Sequence, residues 1–128
     1  MAERGRSGGP ADRRSEPADP VTESAEMRAL RGRIDGLDRR IVRLLNERAE
    51  LGLAVGRAKA AAGRSVRDGE REMEVFERVA AANGGPLPEA DLLALYRRLV
   101  AATRRLELAE RRRVEASTNR GRQPRTAP

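Results

Sequence analysis

The 128 residues include no cysteine, no histidine and no tryptophan, and only one tyrosine and one phenylalanine. Each absence removes a class of chemistry. Without Cys or His there is no thiol nucleophile, no imidazole base, no Ser-His-Asp triad and no Cys/His zinc site. Disulfides are excluded too. No pattern announces a carboxylate-bound metal, so no metal and no cofactor are expected. No apolar run reaches the 18 residues of a candidate membrane span, and residues 1–20 lack the apolar stretch of a secretory signal. A cytoplasmic protein without a membrane partner is the expectation.

What the chain has in quantity is charge: 27 basic residues against 20 acidic, a net +7. The excess is localised, because residues 104–128 carry eight Arg and three Glu while the body is nearly balanced. The tail does not interleave aromatic side chains with its Arg, as a base-stacking surface requires, which argues against nucleic acid as the partner. All but one of the bases are Arg. The exception, Lys59, is singled out by that bias.

Gly, Pro, Ser and charge dominate the N-terminus, and apolar periodicity is missing at both ends. The spacing therefore predicts a disordered tail at residues 1–22, a helical domain at 23–115 and a disordered basic tail at 116–128. Inside the domain, helices are predicted from about Ser24 to Ala62, Asp68 to Ala82 and Pro88 to Val114. Asp68 reads as an N-cap, Asn83-Gly84-Gly85 as a stop and Pro88 as a first-turn proline. There is no alternating strand pattern, so the fold class is all-α.

In the first helix Leu30, Ile34, Leu37, Ile41, Leu44, Leu51, Val55, Ala58 and Ala62 follow a heptad seam, broken by Arg48. A helix of roughly 39 residues is about 58 Å long, whereas a domain of about 90 residues is about 30 Å across. The seam cannot be covered within one such domain, and an intertwined, domain-exchanged homodimer is expected.

A guanidinium in an apolar seam is costly unless an anion meets it, although a structural ion pair or a snorkelling side chain explains Arg48 about as well. Lys59 lies eleven residues on, which at about 100° per residue returns to within about 20° of the same stripe. That alignment favours an anion site. Arg31 points elsewhere on the helix and could serve a partner's pocket in an antiparallel dimer, although pattern alone favours one more surface Arg. Asp68, Arg71 and Glu72 share a face at i, i+3 and i+4, a pattern that capping and an ion pair also explain. Leu93, Val100 and Glu107 recur every seven residues, with Thr103 four before Glu107. Pattern alone favours an exposed Glu107 near a fraying end. The pairs Gly32/Gly36 and Gly52/Gly56 suit close helix approach or room for a ligand, and compositional drift would leave them too.

The stretch from Leu30 to Glu72 resembles the all-helical, bacterial type II chorismate mutases. The resemblance rests on L-R-x-x-I-D-x-L-D (Leu30 to Asp38), L-L-x-E-R-x-E-L (Leu44 to Leu51), V-G-x-A-K (Val55 to Lys59) and V-R-D-x-x-R-E (Val66 to Glu72). With the third helix it covers about residues 25–108. It implies a dimer of three-helix protomers that rearranges chorismate to prephenate, in the shikimate pathway of aromatic biosynthesis. Arg48 would pair with one substrate carboxylate and Arg31 of the partner chain with the other. Lys59 would donate to the ether oxygen, Arg71 would join the pocket, and Asp68 and Glu72 would lie near the ring hydroxyl. Thr103 stands where the family usually has Ser, Glu107 where bacterial members usually have Gln, and Arg104 where the wall is commonly apolar.

The rearrangement is concerted and requires no proton transfer, so holding a flexible dianion and placing donors at the ether oxygen suffice. Arg forks match carboxylates, and an ammonium matches one oxygen. Three other readings stay open: an isochorismate pyruvate-lyase of the same fold, a basic helical binding module, and a subunit activated by another enzyme of aromatic biosynthesis. The destination of prephenate, amino acids or a specialised metabolite, is open as well.

Overall fold

The computed structural model describes residues 23–122, and every regular element among them is helical. The helices are α1 (Ala25–Ala61), α2 (Gly69–Ala82) and α3 (Glu89–Arg122). The chain separates into two units that divide α1, one ending at Arg43 and the other beginning at Leu44.

Local chemistry sets the helix ends. Ser24 Oγ accepts from Met27 N at 3.0 Å, satisfying a first-turn amide of α1. At the other end Gly63 takes φ 72°, its N donates to Ala60 O at 3.0 Å, and Arg64 N donates to Lys59 O at 2.8 Å. This paired closure uses the left-handed glycine to satisfy the last carbonyls, and it fixes the backbone of Lys59. Asp68 caps α2, its Oδ1 accepting from Arg71 N at 3.1 Å. Asn83 ends α2 by donating from its side chain to Leu87 O while its Oδ1 accepts from Gly85 N, both at 2.9 Å. Pro88 lies one residue outside α3 rather than in its first turn, with its carbonyl accepting from Leu92 N at 3.1 Å.

The helix α3 continues past Val114 to Arg122, so residues 116–122 are helical and not the disordered tail that their polarity suggested. The preceding run to Ala116 is rich in Arg, Glu, Leu and Ala, good helix formers that need no buried face, and no proline follows before Pro124. The helix is carried on through Ser117, Thr118, Asn119 and Gly121 despite their lower propensity, with Arg120 and Arg122 in the last turn, where cations favour the helix dipole. The tails expected at 1–22 and 123–128 lie outside the described residues.

In the unit that starts at Leu44, α2 packs against α3. Its half-buried residues Glu72, Val75, Phe76, Val79 and Ala80 fall at i, i+3, i+4, i+7 and i+8, one helical face. On α3, Val100 and Thr103 are buried. The half of α1 in this unit turns a different face to α3 from the one its leucines mark. Arg48, Ala49, Gly52, Leu53, Gly56 and Lys59 are the covered or partly covered positions, whereas Leu44, Leu51 and Val55 of the heptad seam are 55%, 68% and 52% exposed.

Glycine makes that approach possible. A Cβ on Gly52 would stand 2.5 Å from Thr103 Cγ2, and one on Gly56 would stand 3.1 Å from Glu107 Cγ. Gly32, by contrast, has nothing within 4 Å. Gly52→Ala should therefore destabilise the protein: overpacking costs about 1–3 kcal/mol and outweighs the gain in helix propensity of up to about 1 kcal/mol. A lowered melting temperature is the expected reading, and an unchanged or raised one would contradict the packing.

Candidate active site

The glycine face brings α1 close enough to α3 for polar side chains of all three helices to meet around one cavity of about 290 Å³, near the lower end of small-molecule sites. From α1 come Arg48 and Lys59, from the start of α2 Asp68, Arg71 and Glu72, and from α3 Thr103, Arg104 and Glu107. Leu51, Val55, Val66, Val75 and Val100 supply apolar wall. The cavity thus collects every residue singled out in the sequence for the site of a single chain. Arg31 belongs to the other unit, where its Nε pairs with Glu23 Oε2 at 2.8 Å.

Lys59 is held from two sides. Its Nζ donates to Val66 O at 2.9 Å and lies 3.8 Å from Glu107 Oε1. With three N–H groups on the ammonium, donor capacity remains for a ligand. Arg48 has no carboxylate of the described residues in ion-pair contact; its Cζ sits 5.8 Å from the centroid of the Tyr96 ring, within range of a cation–π contact. The structural ion pair weighed for Arg48 is thus not seen among the described residues. Arg71 is more exposed and pairs with Glu74 Oε1 at 3.2 Å, one turn along its own helix. Asp68 combines capping with a place on the cavity wall, and its Oδ2 lies 3.6 Å from Arg64 Nη2.

Glu107 is covered rather than exposed, because α3 does not fray at its position and Gly52 and Gly56 make room for the carboxyl. Its Oε1 is buried and has no hydrogen-bond partner among the described residues. Burial raises its pKa above the ordinary carboxyl value, against the lowering effect of Lys59, Arg111 and Arg104; Glu72 adds to the rise. Loss of hydration disfavours the anion more than the neighbouring cations favour it.

Two contributors, Tyr96 and Arg111, were not singled out in the sequence, and a third, Arg104, was marked only by the resemblance, as a departure from an apolar wall. Tyr96, the single tyrosine, lies beside Arg48. Arg104 reaches across to α2 and donates to Glu72 Oε2 from Nε at 3.2 Å and from Nη2 at 2.9 Å. Arg111 donates to Arg64 O at 3.0 Å and Gly56 O at 3.5 Å, joining α3 to the end of α1. Tyr96 could have been noticed as a lone ring on the apolar face of α3, whereas Arg111 is lost among 26 arginines and nothing in the spacing pairs Arg104 with Glu72.

Residues 30–108 match the family described as chorismate mutase type II. The chain belongs to that family. A bifunctional chorismate mutase/prephenate dehydratase of Aquifex aeolicus (strain VF5) is 40% identical over 86 residues, which are 64% of this chain and 24% of that protein. One of Stutzerimonas stutzeri is 34% identical over 92 residues, 68% of this chain and 25% of that protein. The chain therefore spans about a quarter of the length of these curated relatives. Among solved structures, a chorismate mutase (form II) from Thermus thermophilus superposes with a TM-score of 0.62 at 34% identity, covering 64% of this chain and 93% of that one. The helical fold and the family agree with the resemblance carried by residues 30–72.

Proposed function

We propose that this chain is a chorismate mutase, converting chorismate to prephenate. The observation that carries the reading is the convergence of Arg48, Lys59, Arg71 and Glu107 from three helices on one cavity, in a chain of this family. The reaction breaks one ether C–O bond and forms one C–C bond within the same molecule, so no co-reactant is involved. Arg48 binds a carboxylate and holds the dianion in its compact conformer. Lys59 places an N–H at the ether oxygen as charge grows there, and Glu107 supplies a second donor while it keeps its proton. Asp68 and Glu72 accept from the ring hydroxyl, and Thr103 lines the same cavity. Loss of chorismate with matching gain of prephenate, measured on the purified full chain, tests the reading. Pyruvate released from isochorismate, with chorismate left untouched, would replace it by the lyase.

The same reading includes a homodimer with shared sites. Leu30, Ile34, Leu37 and Ile41 are 48%, 55%, 51% and 50% exposed, a continuous apolar stripe that water would disfavour. Among the described residues only Val66 and Val100 are buried hydrophobics, a small core for a stable domain. A second copy covering the stripe would remedy both, and Arg31 would then complete the partner's cavity. Mixing Arg31→Ala with Arg48→Ala subunits should restore activity that neither has alone, since one hybrid site receives both arginines; no recovery after demonstrated subunit exchange would sink the shared site. No helix of the described residues is long and apolar enough to cross a membrane, and the cytoplasm is the proposed setting. A prephenate-consuming enzyme is the partner this reading implies, as the names of the relatives join the two activities.

A further inference from the structure

Arg104 is a charged group of the cavity to which the proposed chemistry gives no task. It lies next to Thr103 and one turn before Glu107, yet its guanidinium is committed to a different helix. Two of its nitrogens donate to the same oxygen of Glu72, Oε2. The other oxygen, Oε1, is 3.9 Å from Arg67 Nε. Both partners are largely covered, at 28% exposure for Arg104 and 18% for Glu72, so the pair is less screened than a surface ion pair. A planar guanidinium gripping one oxygen restricts the rotation of the carboxylate and leaves the second oxygen to accept.

We propose that Arg104 is a positioning residue of this pocket, fixing Glu72 by Oε2 so that Oε1 is presented to the substrate hydroxyl, and shielding Glu107 from the charge of Glu72. The inference rests on the proposed chorismate mutase reading and adds to it a residue that does not itself touch the substrate. Its physical content is preorganisation: the rotamer freedom of Glu72 is lost before the substrate arrives, and binding is not weakened by ordering it. The shielding follows from the groups that face Glu107. These are Lys59 from α1, Glu72 from α2, and Arg104 and Arg111 from its own helix. Removing Arg104 deletes one cation from that set and at the same time leaves the charge of Glu72 opposed only by the more distant Arg67, and both changes favour the protonated form of Glu107.

The test is a cycle of Arg104→Met, Glu72→Gln and the double variant in the full chain, with KM and kcat measured separately between about pH 5 and 8. Met keeps much of the volume of the arginine stem. Arg104→Met should raise KM about tenfold, within the range for residues coupled in one hydrogen-bonded network, with a smaller change in kcat at low pH. It should move the fall of activity to higher pH. In the Glu72→Gln background it should add little to KM. Arg104→Lys, which keeps the charge but loses the fork, should raise KM while leaving the pH profile near that of the wild type, and it carries the test should Arg104→Met fail to fold. Fully additive effects on KM, or a profile that Arg104→Met does not move, would overturn the inference while wild-type turnover stands. A wild type that leaves chorismate unchanged overturns the proposed function itself.

Discussion

Lys59→Ala should lower kcat about 100- to 1000-fold, the loss that follows removal of one preorganised donor to a developing oxyanion, or about 3–4 kcal/mol of transition-state stabilisation. The geometry makes this an effect on chemistry more than on binding. Arg48 and Arg71 remain in the cavity wall after the substitution, and with them the attraction for a dianion. The ammonium, by contrast, is held by Val66 O on one side and faces Glu107 on the other, so a water molecule or a neighbouring arginine would have to enter a lined pocket to replace it. Alanine also leaves Val66 O without this donor, and far-UV circular dichroism and sedimentation of the variant separate a lost donor from a lost fold. Retained helix content with kcat reduced by two to three orders of magnitude is the expected pair of results. Near-normal turnover would remove Lys59 from the mechanism.

The sequence showed Lys59 because it is the lone lysine in an arginine-biased chain and stands eleven residues after Arg48, a spacing that returns to one stripe of a helix. Both residues line the cavity. Helix starts were equally legible, since capping is local: Ser24 and Asp68 cap with their own side chains. The face that α1 turns to α3 was harder to read. Heptad leucines advertise hydrophobic burial, whereas the covered face is marked by Gly52 and Gly56, whose role is the absence of a side chain. Long-range polar pairs were the least legible. Glu72 and Arg104 are 32 residues apart on different helices, and nothing in the periodicity of either helix selects one arginine from its neighbours. Glu107 falls between these cases. Its seven-residue spacing from Val100 was visible, and pattern alone favoured an exposed end of a helix; the resemblance pointed to the pocket instead, and the continuation of α3 to Arg122 with the room left by Gly52 and Gly56 accounts for its cover.

That burial gives Glu107 its expected consequence, an activity that declines as pH rises. A carboxylate accepts hydrogen bonds but cannot donate them, so Glu107 assists at the ether oxygen only while it carries a proton. Its Oε1 is buried without a hydrogen-bond partner among the described residues, and its pKa is raised from the ordinary value of 4.5, burial outweighing Lys59, Arg111 and Arg104. Above that raised pKa the donor is lost and a negative charge faces the oxygen that is itself becoming negative. Each further pH unit should then cost up to about tenfold in rate, until another pathway takes over. Stability follows the same sign. Between 4.5 and the raised value the folded chain holds a proton that the unfolded chain has released, so the contribution of this group is complete below 4.5 and is lost as pH rises through the folded-state pKa. Glu107→Gln puts a donor at the same place with no proton to lose. Its turnover at low pH should match that of the wild type, extend undiminished to higher pH, and be accompanied by a melting temperature that falls less as pH rises. Superimposable pH profiles of the two proteins between about pH 5 and 8, a range spanning an ordinary and a raised carboxyl pKa, would show that Glu107 is not the donor.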